Sequence, residues 1–181
     1  MTPQDSLLPV DRFLATLNIV QREGEHLAYS WNRLYTAPVD VDWVNQLPEN
    51  PEAAERLEAF VSRFGRMQDT IADKLLPRWL MALAETPGSQ IEILNRAERL
   101  GTIESVQKWL EARKLRNRLV REYMEDIHDF SEALALARGY SLMLLRTYNC
   151  IRDFCLQRME LAEESLPPLL SIPNQQGDQQ P

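Results

Sequence analysis

At 181 residues, with 44% hydrophobic and 26% charged side chains, the chain can bury one substantial core and has the balance of a soluble globular domain. Its formal charge of −7 opposes broad attraction to nucleic acid, so any polyanion contact must be local. Six glycines and few alternating Val/Thr-rich runs disfavour a sheet protein, and neither a secretory leader pattern nor an apolar run of about 18 residues is seen.

Residues Met1 to Val10 carry two prolines and read as a lead-in. Asp11 is the expected cap of a first long helix reaching about Tyr35, with Leu14, Leu17, Gly24, Leu27, Trp31 and Leu34 as its buried stripe. His26 on this helix reads as a surface or core-edge residue. Thr36 to Asn50 is a long connection, in which Trp43 is expected to fold back as a plug over the bundle end.

Asn50-Pro51-Glu52 is a strong start signal: a capping amide, proline in the first turn, then an acid. The second helix should run to about Glu85 on Leu57, Phe60, Phe64, Met67, Ile71 and Leu75, with Pro77 kinking or interrupting it. Asp69 and Asp73 are spaced i, i+4. Without further ligands in view, they read less as half a metal site than as a solvated face with Arg66 and Lys74, or as counter-charges for arginines elsewhere.

Pro87-Gly88-Ser89 marks a turn and cap. Ile91, Leu94, Ala97 and Leu100 outline a short third helix stopped by Gly101. Thr102 is the expected cap of a fourth helix, and Asp129 with Glu132 the expected start of a fifth running to about Leu161. On the fifth, Phe130, Leu134, Ala137, Tyr140, Leu144 and Tyr148 form the main stripe, continued by Ile151 and Phe154. Leu136, Met143 and Leu145 fall outside it and point either to a subunit interface or to wide burial. Cys150 and Cys155, five apart on this helix, face different ways; a mutual disulfide is disfavoured, and free thiols suit a cytoplasmic protein. The two histidines and two cysteines lack zinc-site spacing, so neither metal nor cofactor is expected. The fold class is all-α, an antiparallel up-and-down bundle of four long helices plus a short one. Residues 1–165 form the domain and 166–181 a disordered C-terminal tail.

The most informative stretch is Arg113 to Asp126, RKLRNRLVREYMED, where Arg113, Lys114, Arg116, Arg118 and Arg121 gather in an otherwise acidic chain. Ile103 to Met124 has helical periodicity, with Val106, Trp109, Leu110, Leu115, Leu119 and Val120 on one broad apolar face. Arg116 lies near the middle of that arc beside Trp109 and Tyr123; Arg113 lies within it, and Asn117 and Arg121 at its edge. A guanidinium on the apolar side of a helix is costly unless paired. These arginines therefore either meet carboxylates in a helix interface or line a cleft that faces phosphate.

The string Arg116-Asn117-x-x-x-Arg121-Glu122-Tyr123 resembles the Arg-Asn-x-x-x-His-x-Tyr motif of HEPN-domain proteins of the HepT type. Arg63-Phe64-Gly65-Arg66-Met67-Gln68-Asp69 and Arg96-Ala97-Glu98-Arg99-Leu100-Gly101 also read like that family, so the resemblance spans roughly residues 52–145. It implies a HEPN-like bundle, a homodimer with a cleft at its interface, and a minimal nucleotidyltransferase partner of toxin–antitoxin type. It also implies an RNA or nucleotide ligand and no membrane association. Active members cleave RNA without metal, the 2′-hydroxyl attacking phosphorus.

Carried over by position, Arg116 would hold the phosphate, Asn117 would orient the site, and Arg113 and Arg121 would complete the basic set. Arg121 stands where the family has histidine. A guanidinium cannot serve as a general base, although it can still grip phosphate through its planar fork. The resemblance thus implies binding with a degenerate nuclease site. One alternative is an active ribonuclease toxin in which Arg121 or His128 compensates; His128 lies twelve residues beyond Arg116, about 18 Å along a continuous helix. The other is a structural or interaction bundle with paired arginines. Tyr123 is the candidate adenylylation acceptor, or else a core tyrosine beside Trp109.

Overall fold

The computed structural model describes residues 7–121 and 125–174, with side chains for all of these except Arg121. Among them the chain is all-helical, with 76% in helix and no strand.

Helix α1 (Pro9–Leu34) opens on Pro9 after extended Leu8, and Asp11 sits in its first turn instead of capping it. Proline's fixed φ and missing N–H suit the first helical position, so the helix starts two residues before the expected cap. Phe13, Leu17, Val20, Leu27, Trp31 and Leu34 form its buried stripe. Polar tips tie its C-terminal end down: Trp31 Nε1 donates to the Arg138 carbonyl at 2.9 Å, and Tyr35 Oη to that of Leu134 at 2.6 Å.

The connection expected as a loop holds a short helix, α2 (Val41–Asn45), and a 3₁₀ turn, Leu47–Glu49. Asp40 caps α2 by accepting from the Trp43 amide at 2.9 Å. Val44 and Leu47 make the plug, with half-buried Trp43 packed beside them.

Helix α3 (Pro51–Thr70) begins at Asn50, whose side chain accepts from the Ala53 amide. It continues without a break through a π turn, Ile71–Leu75, into α4 (Leu76–Ala82). Pro77 explains the π turn. It has no N–H for the Asp73 carbonyl and its ring crowds that carbonyl, and the backbone answers by widening one turn, the interruption expected of the proline.

Helix α5 (Gln90–Arg99) starts with a capping box between Ser89 and Glu92 and stops at Gly101, whose φ of +79° favours glycine. Ile93 rather than Ile91 faces the core with Leu94 and Ala97. Thr102 does not cap α6 (Val106–Arg121). It is buried and donates to the Ala97 carbonyl, while Ser105 accepts from the Lys108 amide and Glu98 from that of Val106.

Helix α7 (Ile127–Gln157) is capped by Asp126, which accepts from the amides of His128 and Asp129, three residues before the expected start. It ends four residues short of the expected Leu161. Met143 and Leu145 are buried inside the bundle because α7 packs against α1, α2, α3 and α6 at once; Leu136 stays exposed. Helix α1 packs on α3 and α4 as well as α7, and α6 lies against α7 and α3.

The stretch expected as a disordered tail is packed as far as it is described. Leu166 and Leu170 are buried, and Ile172 lies against the core. Polar composition beyond Gly177 says nothing of the Leu-Pro-Pro-Leu-Leu run ahead of it, which has apolar surface to bury.

Candidate functional site

Arg116 and Arg113 project from α6 toward one face of α3 and its π turn. Arg116 Nη2 lies 2.8 Å from Asp69 Oδ2, and Arg113 Nη2 lies 3.9 Å from Asp73 Oδ1. The order of the pairs shows the direction of packing: moving forward along α3 from Asp69 to Asp73 means moving back along α6, so the two segments run antiparallel. Both non-metal readings of the two aspartates hold: they pair with the arginines of α6, and they remain on a solvated face with Arg66 and Lys74.

The aliphatic part of Arg116 lies across Gly65. A Cβ at that position would stand 2.9 Å from Arg116 Nε and 3.3 Å from its Cγ, so glycine is what allows the side chain to lie flat. Beside this crossing is a groove of about 430 Å³. Arg66, Lys74 and Arg116 supply its cations, Asp69 and Asp73 its carboxylates, Ser62 and Thr70 its hydroxyls, and Val61 and Val120 an apolar rim. The Thr70 hydroxyl lies 2.9 Å from Glu23 Oε1, which brings α1 to the edge of the site. Burial pushes the Glu23 carboxyl above its ordinary value, against the opposing pull of the Thr70 hydrogen bond, Arg66 and Lys74.

Arg116 and Asp69 keep 37% and 40% of their side-chain surface exposed. Water therefore reaches the pair, and a guanidinium with one nitrogen anchored still presents other donors outward. Three cations against two carboxylates leave the lining one positive charge in excess, which favours an anion over a cation. No histidine is among the described residues lining the groove.

The other expected site residues separate. Asn117 is exposed, one residue on from Arg116 and so turned about 100° away from the groove. His128 is exposed in the first turn of α7 and does not line the groove. The Arg121 side chain and Tyr123 lie outside the described residues. The sequence reading did not assign Gly65, Ser62, Arg66 or Lys74 to the site. Gly65 and Arg66, four and three residues before Asp69, share its helix face, and that spacing was the available signal; Ser62 lies seven before it and Lys74 five after.

A larger groove, about 540 Å³, lies between α7 and the start of α6. Two of its cations are committed: Arg146 Nε is 2.7 Å and Lys108 Nζ 3.4 Å from the Glu104 carboxylate, whose pKa the Arg146 hydrogen bond lowers. Among the described residues no cluster of three metal-ligating side chains occurs, and no helix is long and apolar enough to cross a membrane. No family model matches the chain, and neither a curated protein nor a solved structure is detectably similar to it.

Proposed function

We propose that the chain is a HEPN/HepT-like binding component: a homodimer that works beside a minimal nucleotidyltransferase, takes a nucleotide or RNA phosphate at the Arg116 groove, and has a degenerate nuclease site. The observation that carries this reading is Arg116 laid flat across Gly65 and anchored at one nitrogen by Asp69, beside a groove that also holds Arg66 and Lys74. Anchoring fixes the guanidinium before a ligand arrives, which lowers the ordering cost of binding. With guanidinium in the motif's histidine position, phosphate is gripped but no proton is moved.

The test is titration of a labelled short RNA and of a mononucleotide into the purified protein and Arg116→Ala, with the RNA run on a gel afterwards. Binding that weakens about tenfold or more in Arg116→Ala, with the RNA left intact, is expected. The reading fails if the protein binds neither nucleotide nor RNA and does not associate with a minimal nucleotidyltransferase. RNA cleavage abolished by Arg116→Ala would instead establish the active-toxin alternative.

A second reading has its own support. The pairs Arg116–Asp69 and Arg113–Asp73 are also what a structural bundle needs to bring cations against a helix interface. The strength of the first pair separates the two, because a structural pair must be strongly coupled whereas a poised phosphate ligand need not be.

A further inference from the structure

Residues 166–172 run without helix or strand across α7 and α1, and α7 holds them by their main chain. Arg152 Nε donates to the Pro167 carbonyl at 2.6 Å, and Tyr148 Oη to that of Pro168 at 2.9 Å. Asn149 makes a two-point contact with Leu170, its Nδ2 donating to the carbonyl at 3.0 Å and its Oδ1 accepting from the amide at 2.9 Å. Tyr148, Asn149 and Arg152 fall within a single turn of α7. None of these contacts reads a side chain of the segment.

The segment's side chains do a different job. Leu166 and Leu170, four apart, are buried, while Leu169 between them faces water. Pro167 and Pro168 have no N–H to leave unpaired and hold the backbone extended in advance. The receiving surface is cut to match: a Cβ on Gly24 would lie 2.3 Å from Leu170 Cδ1, with Met67 Cε also closing the notch. Main-chain hydrogen bonds for affinity and apolar pockets for specificity are how grooves capture extended peptides.

We infer that the surface between α1 and α7 is a docking groove for an extended Leu-Pro-Pro-x-Leu segment, filled in cis by residues 166–170 and open to a segment of the same chemistry on a partner protein when the resident one lifts. The tether favours the resident segment. A short connection, from the end of α7 through Glu160 (φ +54°) and the 3₁₀ turn Glu163–Ser165, supplies it at an effective concentration of order millimolar. A partner segment competes only where it is locally concentrated or where the resident one is loosened.

The test uses the full chain. A fluorescent peptide of residues 165–173 should show no binding to the wild type at micromolar concentration, because the tethered copy wins. Leu170→Asp, which empties the notch, should bind the same peptide saturably at one site. Adding Asn149→Ala should weaken that binding about tenfold or more, since two hydrogen bonds are lost. A folded Leu170→Asp protein that ignores the peptide, or binds it equally well without Asn149, overturns the inference. Hydrogen exchange on the wild type gives a check that does not depend on any variant. The Leu170 amide should exchange at least about tenfold faster than the Ile151 amide within α7, through a local opening. Equal protection would make the segment an inseparable part of the core and would also overturn the inference.

Discussion

Whether Arg116 is poised for a ligand or holds the bundle together is decided by the free energy of its pair with Asp69. At 2.8 Å two unit charges attract by about 1.5 kcal/mol in bulk water and about 6 kcal/mol at an effective dielectric near 20, so solvent access sets the outcome. Both side chains keep more than a third of their surface. Half-exposed pairs of this kind typically couple by ~0.2–1 kcal/mol, and we expect about 0.5–1 kcal/mol here. Arg116→Ala alone should cost more, because its aliphatic stem also leaves the surface of Gly65. A double-mutant cycle with Asp69→Ala removes that packing contribution and isolates the pair. Urea unfolding of the four proteins by far-ultraviolet circular dichroism is the assay, and each kcal/mol should also move Tm by about 2–4 °C. A coupling of about 3–5 kcal/mol, the cost of breaking a buried pair, would refute the reasoning and make the arginine a structural strut.

Gly65→Ala should separate stability from binding. Alanine gains about 0.5–1 kcal/mol inside a helix, but its methyl group must push the Arg116 stem aside, so net stability should stay within about 1 kcal/mol of wild type while nucleotide affinity falls. A loss beyond about 2 kcal/mol, read by urea unfolding, would mean that Arg116 cannot move. Gln68 is 2% exposed, and neither atom of its amide meets a protein partner, so Gln68→Met should raise stability by about 1–3 kcal/mol. A lower Tm for this variant would reveal a partner such as an internal water. For Glu23, burial raises the folded-state pKa above the ordinary 4.5. Its protonated form is therefore favoured by folding; that contribution is complete below the unfolded value and is lost as pH rises through the folded one. Glu23→Gln should accordingly melt above wild type at neutral pH, and the gap should close below about pH 4. A gap that widens on acidification would reverse the assignment.

Much of the fold was legible from periodicity. The buried stripe of α3 came out residue for residue, because a single amphipathic face leaves a clear 3.6-residue trace; on α1 Phe13 and Val20 are buried where Leu14 was expected, and on α7 Tyr140 is only half-buried while Met143 and Leu145 join the core. Helix boundaries were less legible. Asp11, Thr102 and Asp129 are all sound capping residues by type, yet α1 starts at Pro9 with no side-chain cap, and the bonds that cap α6 and α7 come from Ser105 with Glu98 and from Asp126. Composition alone cannot choose among neighbouring candidates. Ile91 was misplaced because a helix of ten residues offers too few turns to fix its phase.

The arginines of α6 were legible as a problem and only partly as an answer. Their place on the apolar arc signalled that they needed partners, and Asp69 with Asp73 stood out by spacing. Asn117 was expected beside Arg116 from a linear motif, but adjacent residues on a helix do not share a face. The pairing of Gly65 with Arg116 joins positions far apart in the chain and leaves no mark in either segment alone.

The widened turn at Ile71–Leu75 means that this long rod contains one more residue than a regular coil of the same length would need. Phe64 and Met67 ahead of it and Trp79 behind it still reach the same interior, so the surplus is absorbed locally and not passed down the rod. Shortening the chain by one residue at the exposed Asp73 or Lys74 should therefore be tolerated far better than the same deletion two turns earlier, where every later side chain would swing by about 100°. The proline keeps a small reserve of slack in an otherwise rigid column.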